Sequence, residues 1–200
     1  MIKTVNTGLL GSNVHIFYDE ASKEAMIVDC GAPLSNVLPF IKEKELEVKY
    51  IVLTHGHYDH VHFVHEYAEK FKDAKIICHK TEPTVLLDSE ANVSDLVGDT
   101  AVYDEPYVTV SEGDVLIVGA YEFKVIHAPG HTPGCICLYC EKEKLMFTGD
   151  VIFDGAIGRT DFKYGNMKDM RSSLIRLLSM DGDITFYAGH YGPSKFKYQV

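Results

Sequence analysis

Residues 48–60 read VKYIVLTHGHYDH, an apolar run from Val48 to Leu53 that passes straight into Thr54-His55-Gly56-His57-Tyr58-Asp59-His60. The first half has the length and β-branched character of a buried strand. The second half places four metal-capable groups, His55, His57, Asp59 and His60, within six residues. Imidazole nitrogens and carboxylate oxygens suit zinc, and also iron or manganese. On a helix His55 and His57 would face different ways. At a strand end they can converge on one ion while Asp59 and His60 turn toward a second. A buried strand rarely ends in such a cluster without an ion, because unpaired buried polar groups are costly.

Working outward, β-rich runs at 13–18 and 25–29 come before it, the second ending in Asp29-Cys30-Gly31. Leu34, Val37, Leu38 and Ile41 have helical spacing and predict a helix over 34–44. After the cluster, 61–72 reads as helix, 75–78 as strand and 81–87 as helix with Pro83 in its first turn. Residues 88–106 are polar and turn-rich, a long surface loop. Strands follow at 107–110, 114–118, 121–127, 134–140 and 144–148. An amphipathic helix at 166–179, N-capped by Asn166, leads to a last strand at 183–187. Each half thus carries sheet and helix, which predicts a four-layer αββα sandwich and one α/β domain over residues 1–200.

Three further ligand-type residues stand beside glycine at the ends of predicted strands: His131 in APGHTPG, Asp150 in TGD and His190 in AGH. Any one alone reads as a turn residue. Their recurrence after apolar strands carries the signal. Cys135, Cys137 and Cys140 have strand periodicity and read as buried core thiols, Cys140 facing the opposite side. His15, His62, His65 and His79 read as structural or exposed, and the tail Lys195-Phe196-Lys197-Tyr198 as a solvated end.

The ordered set HxHxDH, PGHTPG, TGD and GH resembles the metallo-β-lactamase superfamily. The resemblance implies the αββα sandwich with a two-metal site at one edge of the sheets. It implies one metal on His55, His57 and His131, another on Asp59, His60 and His190, and Asp150 bridging both. It implies that Asp29 orients a ligand histidine. Asn13, VDCGAP, DSEANVSD and Gly158-Arg159-Thr160-Asp161-Phe162 are similar to the glyoxalase II and persulfide dioxygenase branch, and most to its short glyoxalase II-like group. The implied activity is hydrolysis of a thioester or related ester by a metal-bridging hydroxide, with two divalent ions, zinc before iron or manganese. Asp59 would orient the nucleophile, and Tyr191 and Arg159 would contact substrate. The alternative in that branch is a persulfide dioxygenase with one iron on two of the first-set histidines and Asp150. The sequence stops soon after His190, short of the helical C-terminal domain of full-length glyoxalase II.

Composition narrows the rest. Lys and Arg number 19 against 29 Asp and Glu, a net charge of −10. That disfavours a nucleic-acid backbone or an anionic lipid surface as partner and leaves a small molecule. No apolar run is long enough to span a bilayer, and no signal peptide is legible. Five unevenly spaced cysteines suggest reduced thiols in a cytoplasm.

Overall fold

The computed structural model describes residues 1–199. One six-stranded sheet has the order β1 (Ile2–Val5), β2 (Val14–Tyr18), β3 (Glu24–Val28), β4 (Glu47–Val52), β5 (Lys75–His79), β6 (Val108–Val110). Its first three strands are antiparallel, and β3 to β6 run parallel. The second sheet is built from β7 (Val115–Val118), β8 (Tyr121–His127), β9 (Ile136–Cys140), β10 (Leu145–Gly149), β13 (Thr185–Ala188) and β14 (Ser194–Lys195). Here β7 to β10 form a meander, β13 joins β10 in parallel, and β14 pairs antiparallel with β13. A separate hairpin, β11 (Ile152–Phe153) with β12 (Ala156–Ile157), follows β10.

Alternation along the strands produces the layers. In β2 and β3, Ile16 and Ile27 join an outer core with Val37 and Ile41 of α1 (Leu34–Glu43) and Tyr67 of α3 (Val64–Lys70). Their neighbours Phe17, Met26 and Val28 join the core between the sheets, with Phe123 and Phe147. Both faces are covered, so these strands read as nearly continuous apolar runs. The outer face of the second sheet places Cys137, Met146 and Phe186 against Met170 and Leu177 of α5 (Met167–Leu178). The αββα sandwich is therefore present. The five cysteines are free and buried, with Cys135 and Cys137 on the α5 side and Cys140 between the sheets. Asn166 caps α5, its side chain accepting from the N–H groups of Lys168 and Asp169. No helix among the described residues is long and apolar enough to cross a membrane.

The helix expected at 81–87 is present as α4 (Pro83–Leu86), and five details differ from the sequence expectation, one being that the short strands β11, β12 and β14 have no counterpart in it. Strand β1 was not legible in its mixed IKTV pattern. The helix expected at 61–72 starts earlier, as α2 (Tyr58–Val61), and breaks at His62-Phe63 before α3; there Phe63 N–H turns to Cys30 O (3.1 Å). The loop at 88–106 contains a 3-10 turn at Ser94–Val97. The tail is not merely solvated, because Phe196 is buried and stacks on Phe186 (5.3 Å between centroids).

Candidate metal centre

The ligand-type residues all follow strand ends or sit on short turns at one edge of the sandwich. Chain leaving β3 gives Asp29, and β4 gives His55 and His57. Helix α2 carries Asp59 and His60, the β8–β9 turn His131, β10 leads to Asp150 and β13 to His190. Parallel pairing of β3 with β4 and of β10 with β13 brings these carboxyl ends together.

Ligand atoms of His55, His57 and His131 lie within 4.8 Å of one another, and so do those of Asp59, His60 and His190. Asp150 stands between the sets. Its Oδ1 is 3.4 Å from His60 Nε2, and its Oδ2 is 3.7 Å from His131 Nε2 and 3.6 Å from His190 Nε2. A third grouping, Asp29 with His55 and His60, meets the same distance criterion. The Asp29 carboxylate is already committed, however. It accepts Thr54 N–H (2.8 Å) and Thr54 O–H, and His60 Nδ1 lies 3.0 Å from its Oδ2. It thus turns His60 Nε2 toward Asp59 and Asp150, the outer-partner arrangement that fixes a ligand tautomer. His131 is held likewise, Nδ1–H donating to Arg159 O (2.7 Å). Thr54 Oγ1, donating to Asp29, lies 3.1 Å from His55 Nδ1.

Whether the residues fit metal is decided by what remains unpaired. Among the described residues four buried side-chain polar atoms have no hydrogen-bond partner: His55 Nε2, His57 Nε2, His131 Nε2 and Asp150 Oδ1. Four orphaned acceptors at one spot are expensive unless a cation satisfies them. Electrostatics divides the two sets. Burial, and then neighbouring imidazoles, hold His55 and His57 well below the ordinary imidazole value, and burial also lowers His131. All three are neutral ligands in waiting. Burial opposes a charge on His60, but Asp59, Asp150 and Asp29 override it and push it up to about 10. Asp59 is held below the usual carboxylate range; burial resists this and His60, His190 and His57 outweigh it. An ion entering the second set therefore displaces protons.

The other expected contacts are placed as follows. Tyr191 and Arg159 line a cavity of about 400 Å³ together with His57, Asp59, His131, Asp150 and His190. The Arg159 guanidinium is engaged by Asp161, Nε to Oδ1 at 2.9 Å and Nη2 to Oδ2 at 2.8 Å. Asn13 fixes the turn carrying His190, Nδ2 donating to Ala188 O and Tyr191 O. His15 bridges Thr4 and Ala188 O, His62 lies 3.4 Å from the Tyr103 hydroxyl, and His65 pairs with Glu105. His79 stacks on His127 at 3.9 Å.

Sequence reasoning missed Glu82, because one carboxylate just before a proline carries no signal. It is fully buried. Its carboxylate accepts Gly56 N–H (2.6 Å), between His55 and His57, and Thr132 O–H (3.0 Å), next to His131. It clasps the two loops that carry the first set. Burial pushes the carboxyl up from 4.5 to about 7, against the pull of Thr132 and the Gly56 and Gly134 N–H groups. A raised carboxyl value favours the fold while protonated. That contribution is complete below about pH 4.5 and is lost as pH rises through about 7, roughly 3 kcal/mol in all. In metal-stripped protein, urea unfolding should show wild type losing about 3 kcal/mol relative to Glu82→Gln across that window. A difference that stays constant with pH would contradict this.

The model of the metallo-beta-lactamase superfamily matches residues 7–190. The chain belongs to that superfamily of metal-dependent hydrolases, with a His/Asp cluster of the kind that binds a metal pair. The hydroxyacylglutathione hydrolase GloC of Haemophilus influenzae is 34% identical over 182 residues, covering 89% of this chain and 84% of that one. The BLEG-1 B3 metallo-beta-lactamase superposes with a TM-score of 0.91 at 29% identity, over 100% of this chain and 96% of that one. TTHA1623 in a di-iron-bound form superposes at 0.88 with 25% identity, over 98% and 96%.

Proposed function

We infer that this hydrolase is dinuclear and cleaves thioesters, in the manner of a glyoxalase II. The observation that carries the reading is the pair of three-residue ligand sets flanking Asp150, with four buried acceptor atoms unpaired. The likeness to GloC supports it from outside the site. His55, His57 and His131 would hold one ion and Asp59, His60 and His190 the other, with Asp150 shared. Zinc suits this ligand set best, and iron and manganese also fit. Bound there, two divalent ions would lower the pKa of a water toward 7 and polarise the scissile carbonyl.

The chain's own groups do the rest. Asp59 Oδ2 lies 3.1 Å from His190 Nε2, and the ionised carboxylate is placed to take a hydrogen bond from the attacking water and orient it. Asp29 and Arg159 O hold His60 and His131 in register. Attack forms the new C–O bond and the C–S bond breaks. A thiolate, with a parent pKa near 8.5, departs without a strong general acid, which an amide nitrogen would demand. We place the enzyme in a reducing cytoplasm, where five buried thiols persist unpaired, acting on a small molecule rather than nucleic acid or membrane.

The test is to strip the protein with chelator, refill it with zinc, manganese or iron, and assay short-chain thioesters. Hydrolysis should return as the second equivalent of metal binds. No thioester hydrolysis in any refilled form would overturn the reading.

A further inference from the structure

Three residues lining the cavity over the ligand sets have left-handed backbones without being glycine: Leu10 (φ 53°), Val93 (φ 62°) and Tyr191 (φ 64°). That region is disfavoured by any Cβ, most of all in a β-branched residue such as valine. Strain of this kind lasts only where the surroundings over-determine it, and it gathers at functional sites. Around Val93 they do. Asn92 and Ser94, on either side, are fully buried. Asn92 Nδ2 donates to Ala101 O (2.9 Å), and its Oδ1 accepts Ser94 N–H (2.9 Å). Asn92 O accepts Tyr58 N–H (2.8 Å) at the start of α2. The 88–106 loop is thereby pinned to the helix that carries Asp59 and His60, and Val93 sits between the pins.

The other walls are of the same character. Leu10 stands on the 3-10 turn Leu9–Gly11 and is 77% exposed. The β11–β12 hairpin adds Phe153 and Ile157. Asn or Gly at positions 10 and 93 would relax the backbone, yet both positions carry apolar side chains. Among the described residues lining the cavity Arg159 is the one Lys or Arg, its charge matched by Asp161 and its guanidinium over the Phe162 ring (4.2 Å). Walls that are apolar above the ligand residues and carry no unmatched Lys or Arg select an uncharged, apolar group for the part of the substrate that lies against them.

We propose that Leu10, Val93, Phe153, Ile157 and Tyr191 form an acyl subsite, and that the substrate class is a thioester with an uncharged alkyl acyl chain. The proposal rests on the thioesterase reading above and names the substrate of that same site. Burial of each added methylene should raise kcat/KM about two- to fourfold until the cavity is filled.

The experiment compares metal-loaded enzyme on N-acetylcysteamine thioesters from acetyl to octanoyl and on S-lactoylglutathione, a polar and anionic thioester. Specificity should climb from acetyl to at least hexanoyl, with hexanoyl at least about tenfold above lactoylglutathione. A flat series, or lactoylglutathione preferred, overturns the subsite while leaving the hydrolase reading intact. Calorimetric binding of non-cleavable S-methyl and S-hexyl N-acetylcysteamine thioethers is measured alongside. If no thioester is cleaved, the hydrolase reading falls and this pair still decides the subsite: tighter hexyl binding supports it, equal binding overturns it. Val93→Asn keeps a side chain that tolerates the left-handed backbone and removes apolar surface. It should raise Tm yet lower the hexanoyl-to-acetyl ratio at least about threefold. Leu10→Asn, at an exposed position, should lower the same ratio. Unchanged ratios in both variants would overturn the proposal.

Discussion

Asp150→Asn should abolish most thioester hydrolysis and reduce bound metal from about two ions to about one. Loss of an outer partner costs roughly 10–100-fold in affinity or activity, and Asp150 stands closer to the chemistry than that. It faces His60, His131 and His190 at 3.4–3.7 Å, and its Oδ1 has no hydrogen-bond partner. Asn keeps the shape but removes the negative charge that both ions would share. The first set, with three neutral imidazoles, keeps its ligands. Activity at least about 100-fold below wild type is therefore expected, with the fold retained by thermal unfolding. Full activity with two bound ions in Asp150→Asn would show that this carboxylate does not join the two sets.

Gly189→Ala should damage the second set through sterics alone. The backbone of Gly189 is not left-handed, so alanine is tolerated conformationally. Its Cβ, however, would collide with Asp150 Oδ1 and lie 2.6 Å from His60 Cε1. Asp150 and His60 must move, and neither can do so freely: His60 is tied to Asp29 and fully buried. Overpacking of this kind costs about 1–3 kcal/mol. The larger effect is on metal, with the site at Asp59, His60 and His190 weakened by more than about 100-fold. Gly192→Ala is the control, since a Cβ there meets nothing within 4 Å. Equal metal content in the two variants would contradict the proposed placement of the second ion.

The candidate site was legible because its residues stand where strands stop. Apolar runs ending in His55, Asp150 and His190 mark the carboxyl ends of β4, β10 and β13, and turn chemistry marks the loop of His131. Their convergence rests on the parallel pairing of β3 with β4 and of β10 with β13, which no local pattern announces; in the sequence it was implied only by the family resemblance. What escaped were long-range matches with no local pattern. Glu82 is joined to Gly56 and Thr132, 26 and 50 residues away in sequence. Val93 sits in a polar, turn-rich stretch whose composition promises a loop and says nothing of a left-handed valine. The β11–β12 hairpin is two residues per strand, too short for alternation to register. The break between α2 and α3 follows from Cys30 O accepting Phe63 N–H, a contact between distant segments.

Elemental analysis of protein purified without added metal tests the central claim most directly. Two ions per chain, zinc or mixed with iron or manganese, are expected from the two ligand sets around Asp150. A single iron per chain, with no second ion on refilling and oxygen uptake on a persulfide, would contradict the dinuclear hydrolase and leave a mononuclear iron oxygenase on two of the first-set histidines and Asp150.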